Sequence, residues 1–107
     1  MATTDVAIDP LARFRLDDRV VLVTGASSGL GAHFAAVVHA VGARVVVAAR
    51  RADRLEALVD QLPGAVAVVA DVSSESDRER LVASVIERFG RLDVLVNNAG
   101  VGGTVAV

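Results

Sequence analysis

The chain has 107 residues, of which 53% are hydrophobic and only three, all Phe, are aromatic, so it has room for one small domain with an aliphatic core. Its formal net charge of −2 means that the chain lacks the basic excess of nucleic-acid-binding proteins, so we expect no nucleic-acid partner. The absence of cysteine excludes disulfides and thiol chemistry and favours a cytoplasmic location. We expect no membrane partner, because residues 1–18 do not resemble a secretory signal and no apolar run reaches spanning length.

The first half of the chain alternates strands and helices. Residues 1–13 are small and polar, and we expect them to form a flexible leader. The run "RVVLVTG" then predicts a buried strand, and "ARVVVAA" predicts a second one. Between them, "GLGAHFAAVVHAVG" has a helical period, and its predicted inner face comprises Leu30, Phe34, Val37, Val38 and Val41.

The second half of the chain continues the alternation. A helix over "ADRLEALVDQL" ends at Pro63-Gly64, and its apolar stripe comprises Leu55, Leu58, Val59 and Leu62. The run "AVAVVAD" predicts a third strand, and "LDVLVNNAG" predicts a fourth. The helix between them starts at Ser73 or Ser74 as N-cap and stops at Gly90, with a predicted inner face of Leu81, Val82, Val85, Ile86 and Phe89.

The order of elements predicts an α/β fold. Strands that are apolar on both faces require helices on both sides of a parallel sheet. Right-handed crossovers then give a doubly wound, Rossmann-like sheet of four strands in the order 3-2-1-4, with three helices. In this arrangement the fourth strand is a bare aliphatic edge, and "VGGTVAV" adds no helix after it. Bare edges promote aggregation, so we interpret residues 14–107 as the N-terminal part of a larger, here incomplete, dinucleotide-binding domain.

Three glycines lie where the first strand meets the first helix. Free N–H groups and the helix dipole make such a junction a binding site for phosphate, and glycine allows close approach. The spacing G-x-x-x-G-x-G differs from the usual G-x-G-x-x-G, and no Lys follows as in a Walker loop. A glycine-rich turn that only packs the helix on the strand is the alternative. The candidate phosphate-binding residues are Gly25, Ser27, Ser28, Gly29 and Gly31.

Two other polar features are interpreted as surface. His33 and His39 are six residues apart on a helix, about 240° around it, so they cannot share a metal. The charged run "ESDRERL" is interpreted as the solvated start of the third helix. We therefore predict no metal site.

Two motifs resemble the N-terminal signatures of the classical short-chain dehydrogenases/reductases. "TGASSGLG" stands on the first strand and "NNAG" on the fourth, and "ADV" lies between them. The resemblance covers residues 14–100. It implies that Gly25, Gly29 and Gly31 line a pyrophosphate, to which the Leu30 backbone donates. It further implies that Asp71 faces the adenine amino group with Val72 beside the ring, that Asn97 braces the sheet, and that the ribose is bordered by Asn98, Ala99 and Gly100.

The end of the second strand predicts the choice of coenzyme. NAD-binding sites usually have a carboxylate there for the ribose hydroxyls. This chain has Ala49 followed by Arg50, whose guanidinium suits a 2′-phosphate. We therefore predict a preference for NADP(H), with NAD(H) possible. Arg51 is interpreted as the start of a solvated helix, and Ser28 stands where some NADP-binding relatives have a second basic residue.

No catalytic residue can be assigned in this chain. The family's Ser, Tyr-x-x-x-Lys and further Asn all follow the fourth strand, and the chain contains no Tyr. The resemblance implies an oxidoreductase that transfers hydride between a nicotinamide coenzyme and a small alcohol or carbonyl substrate, this chain supplying the coenzyme-binding half of a protein that forms homo-oligomers. The alternative is a non-catalytic nucleotide-binding module. A Tyr-x-x-x-Lys encoded in frame beyond Val107 would favour the enzyme, and a stop codon the module.

Overall fold

Three helices alternate with four strands, and a short fifth strand follows. The computed structural model describes residues 15–27, 29–98 and 104–106, and the predicted leader lies outside them. The elements are β1 (Val20–Thr24), α1 (Gly29–Ala40), β2 (Arg44–Ala49), α2 (Ala52–Asp60), β3 (Val66–Val69), α3 (Glu75–Phe89), β4 (Val94–Asn97) and β5 (Thr104–Ala106).

The strands form one sheet in the order β3-β2-β1-β4-β5. The first four are parallel, with Leu22 of β1 opposite Val46 of β2 and Leu95 of β4. The predicted order 3-2-1-4 is confirmed. The predicted bare edge is wrong, because β5 pairs antiparallel with β4. The sequence signal was a pair of glycines between two apolar runs, which is typical of a hairpin.

Helices cover both faces of the sheet. One core cluster joins α1 and α2 to the face formed by Val21, Val23, Val45 and Val47. A second cluster joins Leu81 and Val85 of α3 to the opposite face. β1 and β2 are almost completely buried, as expected for strands covered on both sides. β3 departs from this expectation, since it ends the sheet and alternates between half-buried and exposed residues.

The helices bury narrower faces than predicted. The stripe of α2 is confirmed, because Leu55 and Leu62 are buried and Leu58 and Val59 pack against them. In α1, however, Leu30 and Val37 are 54% and 46% exposed, and the buried residues are Gly31 and Ala35.

The reason is close packing. The small residues Gly31 and Ala35 bring α1 close to the sheet, and the larger residues lie on its flanks. In α3, Val82 and Ile86 are likewise exposed, contrary to prediction, because the helix contacts the sheet through Leu81 and Val85.

The ends of α3 follow the predicted capping signals. Ser74 is the N-cap, and its Oγ accepts a hydrogen bond from the Asp77 backbone N–H at 3.3 Å. Gly90 ends the helix in the left-handed conformation, with φ of 78°. Among the residues that the structure describes, no helix is long and apolar enough to cross a bilayer.

Candidate functional site

A cavity of about 770 Å³ opens at the carboxyl ends of the four parallel strands. Thr24 of β1, Ala49 of β2, Ala70 after β3 and Asn97 of β4 all line it. The chain order reverses here, because β2 and β3 lie on one side of β1 and β4 lies on the other. Doubly wound sheets bind ligands at this switch point, and the volume is typical of small-molecule sites.

The glycine-rich loop forms one wall of this cavity through Gly25 and Ser27. Gly25 leaves β1 with a φ of 63°, and the next backbone N–H, of Ala26, donates to the Ala48 carbonyl of β2 at 3.2 Å. Gly31 lies where α1 crosses this loop. A Cβ there would clash with the Gly25 carbonyl oxygen and lie 2.7 Å from Asn98 Nδ2. The loop therefore depends on glycine for close backbone packing.

Hydrogen bonds join the ends of β1 and β4 behind the loop. Thr24, which is buried, donates from Oγ1 to Asn97 Oδ1 at 3.1 Å and accepts from the Asn98 N–H at 3.2 Å. Asn98 Nδ2 donates to the Gly25 carbonyl at 3.3 Å. Asn97 is thus joined to the end of β1 and Asn98 braces the loop, and both also line the cavity.

Arginines make the cavity cationic. Among the residues that the structure describes, Arg50, Arg51 and Arg78 line it, against one carboxylate, that of Asp71, although the whole chain has a net charge of −2. Arg51 lies 3.5 Å from Asp53, and Arg78 donates to the Val72 carbonyl. Within the described part of the chain, Arg50 has no ion pair or hydrogen bond, and its exposed guanidinium is available to an anionic ligand.

One carboxylate oxygen of Asp71 accepts hydrogen bonds, and the other accepts none from the described residues. Its Oδ1 accepts from Ser73 Oγ at 2.6 Å and from the Ser73 N–H at 3.0 Å. These bonds, together with the nearby charge of Arg50, hold the pKa of the Asp71 carboxyl below its ordinary value of 3.8. Oδ2 has no hydrogen bond among the described residues, so an ionised residue with an unused acceptor lines the cavity beside Val72.

Half of the predicted site residues meet around the cavity. Those that line it are Gly25, Ser27, Arg50, Asp71, Val72 and Asn98. Gly29, Leu30 and Gly31 form the first turn of α1 and do not line it. Ser28, Ala99 and Gly100 lie outside the described residues.

Arg51, Arg78 and Val82 also line the cavity, contrary to expectation. The sequence predicts that Arg51 and Arg78 are solvated and that Val82 lies in the core. Their sequence positions could have indicated a place beside the cavity. Arg51 lies shortly after the end of β2, and Arg78 lies in the first turn of α3, shortly after Val72. The exposure of Val82 is explained in part by its place in the cavity wall.

The two histidines lie away from the cavity. His39 Nε2 contacts the Pro63 carbonyl oxygen at 2.9 Å and joins the end of α1 to the turn after α2. His33 is exposed on α1. In the segments that the structure describes, no three His, Asp or Glu side chains come close enough to share a metal ion.

The doubly wound sheet, the glycine-rich loop and the cationic cavity define an α/β protein with the features that are typical of nucleotide-binding folds. The chain matches the short chain dehydrogenase family over residues 19–107, and it belongs to that family. The resemblance stated from its motifs is thereby confirmed.

Relatives of known name agree with this assignment. The chain is 50% identical over 86 residues to the A-factor type gamma-butyrolactone 1′-reductase (1S-forming) of Streptomyces virginiae, covering 77% of this chain and 34% of that protein. It is 44% identical over 92 residues to the 11-beta-hydroxysteroid dehydrogenase-like 4A protein of Arabidopsis thaliana, covering 81% and 31%. The chain thus spans about a third of the length of these curated relatives.

Solved structures give the same fold. A structure of actinorhodin polyketide ketoreductase with NADPH matches with a TM-score of 0.75 and 44% identity, covering 78% of this chain and 33% of that one. A hydroxysteroid dehydrogenase from Escherichia coli matches with a TM-score of 0.82 and 35% identity, covering 84% and 40%.

Proposed function

We propose that this chain is the coenzyme-binding part of an NADP(H)-dependent oxidoreductase acting on a small alcohol or carbonyl compound. The observation that carries the proposal is the cavity at the switch point of the sheet, which combines a glycine-rich loop with Arg50, whose guanidinium has no partner in the described part of the chain. Membership of the short chain dehydrogenase family supports the reaction class. The coenzyme, when bound, supplies or accepts the hydride through its nicotinamide ring.

The residues present fit a dinucleotide. In the proposal, the loop from Gly25 to Gly31, with Ser27 and the Leu30 backbone N–H, holds the pyrophosphate at the start of α1. Asp71 Oδ2 accepts from the adenine amino group and Val72 contacts the ring. Asn98 borders the ribose together with Ala99 and Gly100. Ser28 is a further hydroxyl donor to the phosphates.

The preference for NADP(H) over NAD(H) rests on Arg50. The position before it is Ala49, so no carboxylate there repels a 2′-phosphate, and the guanidinium has no competing partner in the described residues. A charge-assisted hydrogen bond contributes about 1.5–3 kcal/mol, which corresponds to about tenfold to over a hundredfold in affinity.

Substitution of Arg50 tests the preference. The variant Arg50→Gln is expected to bind NADPH about tenfold to a hundredfold more weakly and NADH within about twofold of the unsubstituted chain. Nicotinamide fluorescence measures both affinities directly, because the chain has no Trp or Tyr to emit. The matched control is Arg54→Gln, an exposed arginine of α2 that does not line the cavity, and it should change neither affinity. Equal binding of NADPH and NADH by the unsubstituted chain would contradict the preference.

The second candidate is a nucleotide-binding module without chemistry. It is favoured by the absence of Tyr from the chain, since the family's proton-transfer residues include one. We propose that those residues belong to sequence outside this chain, and that the whole protein is a cytoplasmic homo-oligomer with small-molecule substrates. The 107-residue chain should then bind NADPH and show no measurable carbonyl reduction. Turnover by this chain alone would overturn that division of roles.

A further inference from the structure

Arg78 occupies a distinct position in the cavity wall. It lies in the first turns of α3, and its Nη1 donates to the Val72 carbonyl oxygen at 2.7 Å. Its side chain lines the same cavity as Asp71 and Val72. Among the described residues it has no carboxylate partner, so its charge is uncompensated.

The hydrogen bond to Val72 limits how the guanidinium can turn. A guanidinium is planar, weakly hydrated and suited to stacking on aromatic rings, whereas an ammonium is a compact, strongly hydrated charge. One bond to a backbone carbonyl anchors the group and leaves its plane and its remaining donors available. The side chain is therefore partly ordered before any ligand arrives.

The surroundings of Arg78 suit a purine ring. Val72, Leu81 and Val82 line the same cavity as Arg78, and Val82 is 43% exposed. Asp71 Oδ2, one residue before Val72, is the open acceptor. An apolar wall, an acceptor at its edge and a planar cation together match an aromatic base with an exocyclic amino group.

We propose that Arg78 stacks on the adenine ring of the coenzyme and is a binding residue for the adenine rather than for the 2′-phosphate. This inference rests on the function proposed above. Arg50, at the end of β2, discriminates between phosphorylated and unphosphorylated ribose, whereas Arg78 strengthens the binding of both coenzymes to the same extent.

The variant Arg78→Met tests the assignment, because methionine keeps an unbranched side chain and removes both the charge and the planar group. Cation–π contacts contribute about 0.5–2 kcal/mol, so the dissociation constants of NADPH and NADH should both rise about two- to thirtyfold, by the same factor. The variant Arg78→Lys keeps the charge without the plane, and it should recover only part of the loss.

Arg80 provides the matched control. It lies on the same helix, and its Nη2 donates to the Val69 carbonyl at 2.9 Å, but it does not line the cavity. Arg80→Met removes the same kind of side chain-to-backbone bond and should leave both affinities unchanged. Thermal unfolding followed by circular dichroism compares the stability of the two variants, so that a loss of fold is not mistaken for a loss of contact.

The outcomes separate this inference from the proposed function. If the unsubstituted chain binds both coenzymes and Arg78→Met binds them equally well, the stacking assignment is wrong and the proposed function stands. If Arg78→Met loses affinity for NADPH alone, Arg78 contacts the 2′-phosphate and the assignment is again wrong. If the unsubstituted chain binds neither coenzyme, the proposed function fails, and the role of Arg78 fails with it.

Discussion

Gly31 shows how a single missing side chain sets the geometry of the site. A Cβ at this position would meet the Gly25 carbonyl and the Asn98 amide, and would therefore separate the helix from the loop. The same contacts include the bond from Asn98 Nδ2 to Gly25. Glycine at this position therefore permits both the helix–loop packing and the brace from β4.

The variant Gly31→Ala should lose coenzyme affinity. Forcing a methyl group into a packed contact costs about 1–3 kcal/mol of unfolding free energy, and displacement of the loop should weaken NADPH binding about tenfold or more. Urea unfolding and nicotinamide fluorescence measure the two effects.

Gly64→Ala is the control for this prediction. Gly64 has a φ of 85° with open space around it, so alanine there adds about 1–2 kcal/mol of backbone strain without a clash. It should lower stability to a similar degree and leave NADPH binding unchanged. Equal loss of affinity in both variants would mean that the close contact at Gly31 has no special role.

At the scale of elements, α3 contains two neighbouring residues that are similarly hydrophobic but differ in burial. Val85 is 1% exposed and Ile86 is 45% exposed, although the two are neighbours of similar character. Val85→Ala should lower the unfolding free energy by about 2–3 kcal/mol, because it removes buried carbon and leaves a cavity. Ile86→Ala removes more carbon, yet it should cost less than about 1 kcal/mol. Chemical denaturation of both variants makes the comparison, and a larger effect at Ile86 would contradict the observed packing.

The sequence predicts the elements of this fold better than it predicts their faces. Strand order follows from the alternation of strands and helices, and the stop at Gly90 follows from local chemistry. The inner face of α1 could not be predicted, because a periodic stripe gives weight to Leu30 and Val37, whereas close packing is determined by Gly31 and Ala35. The place of Arg78 in the cavity wall could not be predicted either. In the sequence Arg78 is one charge in a polar run, and only the fold brings α3 beside the end of β2.

At the scale of the whole molecule, Asp93 links the start of β1 to the start of β4, at the end of these strands away from the cavity. Its Oδ2 accepts from the Val20 N–H at 2.8 Å, and its Oδ1 accepts from Arg91 at 2.6 Å. Arg19 lies 3.6 Å away. The hydrogen bond from Arg91, then that from Val20 and the two positive charges, hold the pKa of Asp93 below its ordinary value.

This lowered pKa makes stability depend on pH in the acid range. The contribution of Asp93 is complete above the unfolded-state pKa of about 3.9 and is lost as the pH falls through the lower folded-state pKa. Asp93→Asn should therefore be less stable than the unsubstituted chain at pH 7 and lose less stability between pH 5 and 2. Thermal unfolding across that range measures both. The control Asp18→Asn, at a carboxylate that is 85% exposed and 3.7 Å from Arg44, should change the stability at pH 7 little.

The links between β1 and β4 also impose an order on folding. Val20 contacts Asp93, and Thr24 contacts Asn97, across 73 residues of chain in each case. During synthesis, β1 emerges from the ribosome long before its partner on this side exists, and contacts so distant in sequence form slowly. The hydrogen bond from Asn98 to the Gly25 carbonyl can form only after β4 has been synthesised. We expect the glycine-rich loop, near the beginning of the chain, to be among the last parts to reach its final position, and under the proposed function coenzyme affinity during refolding should report the docking of β4.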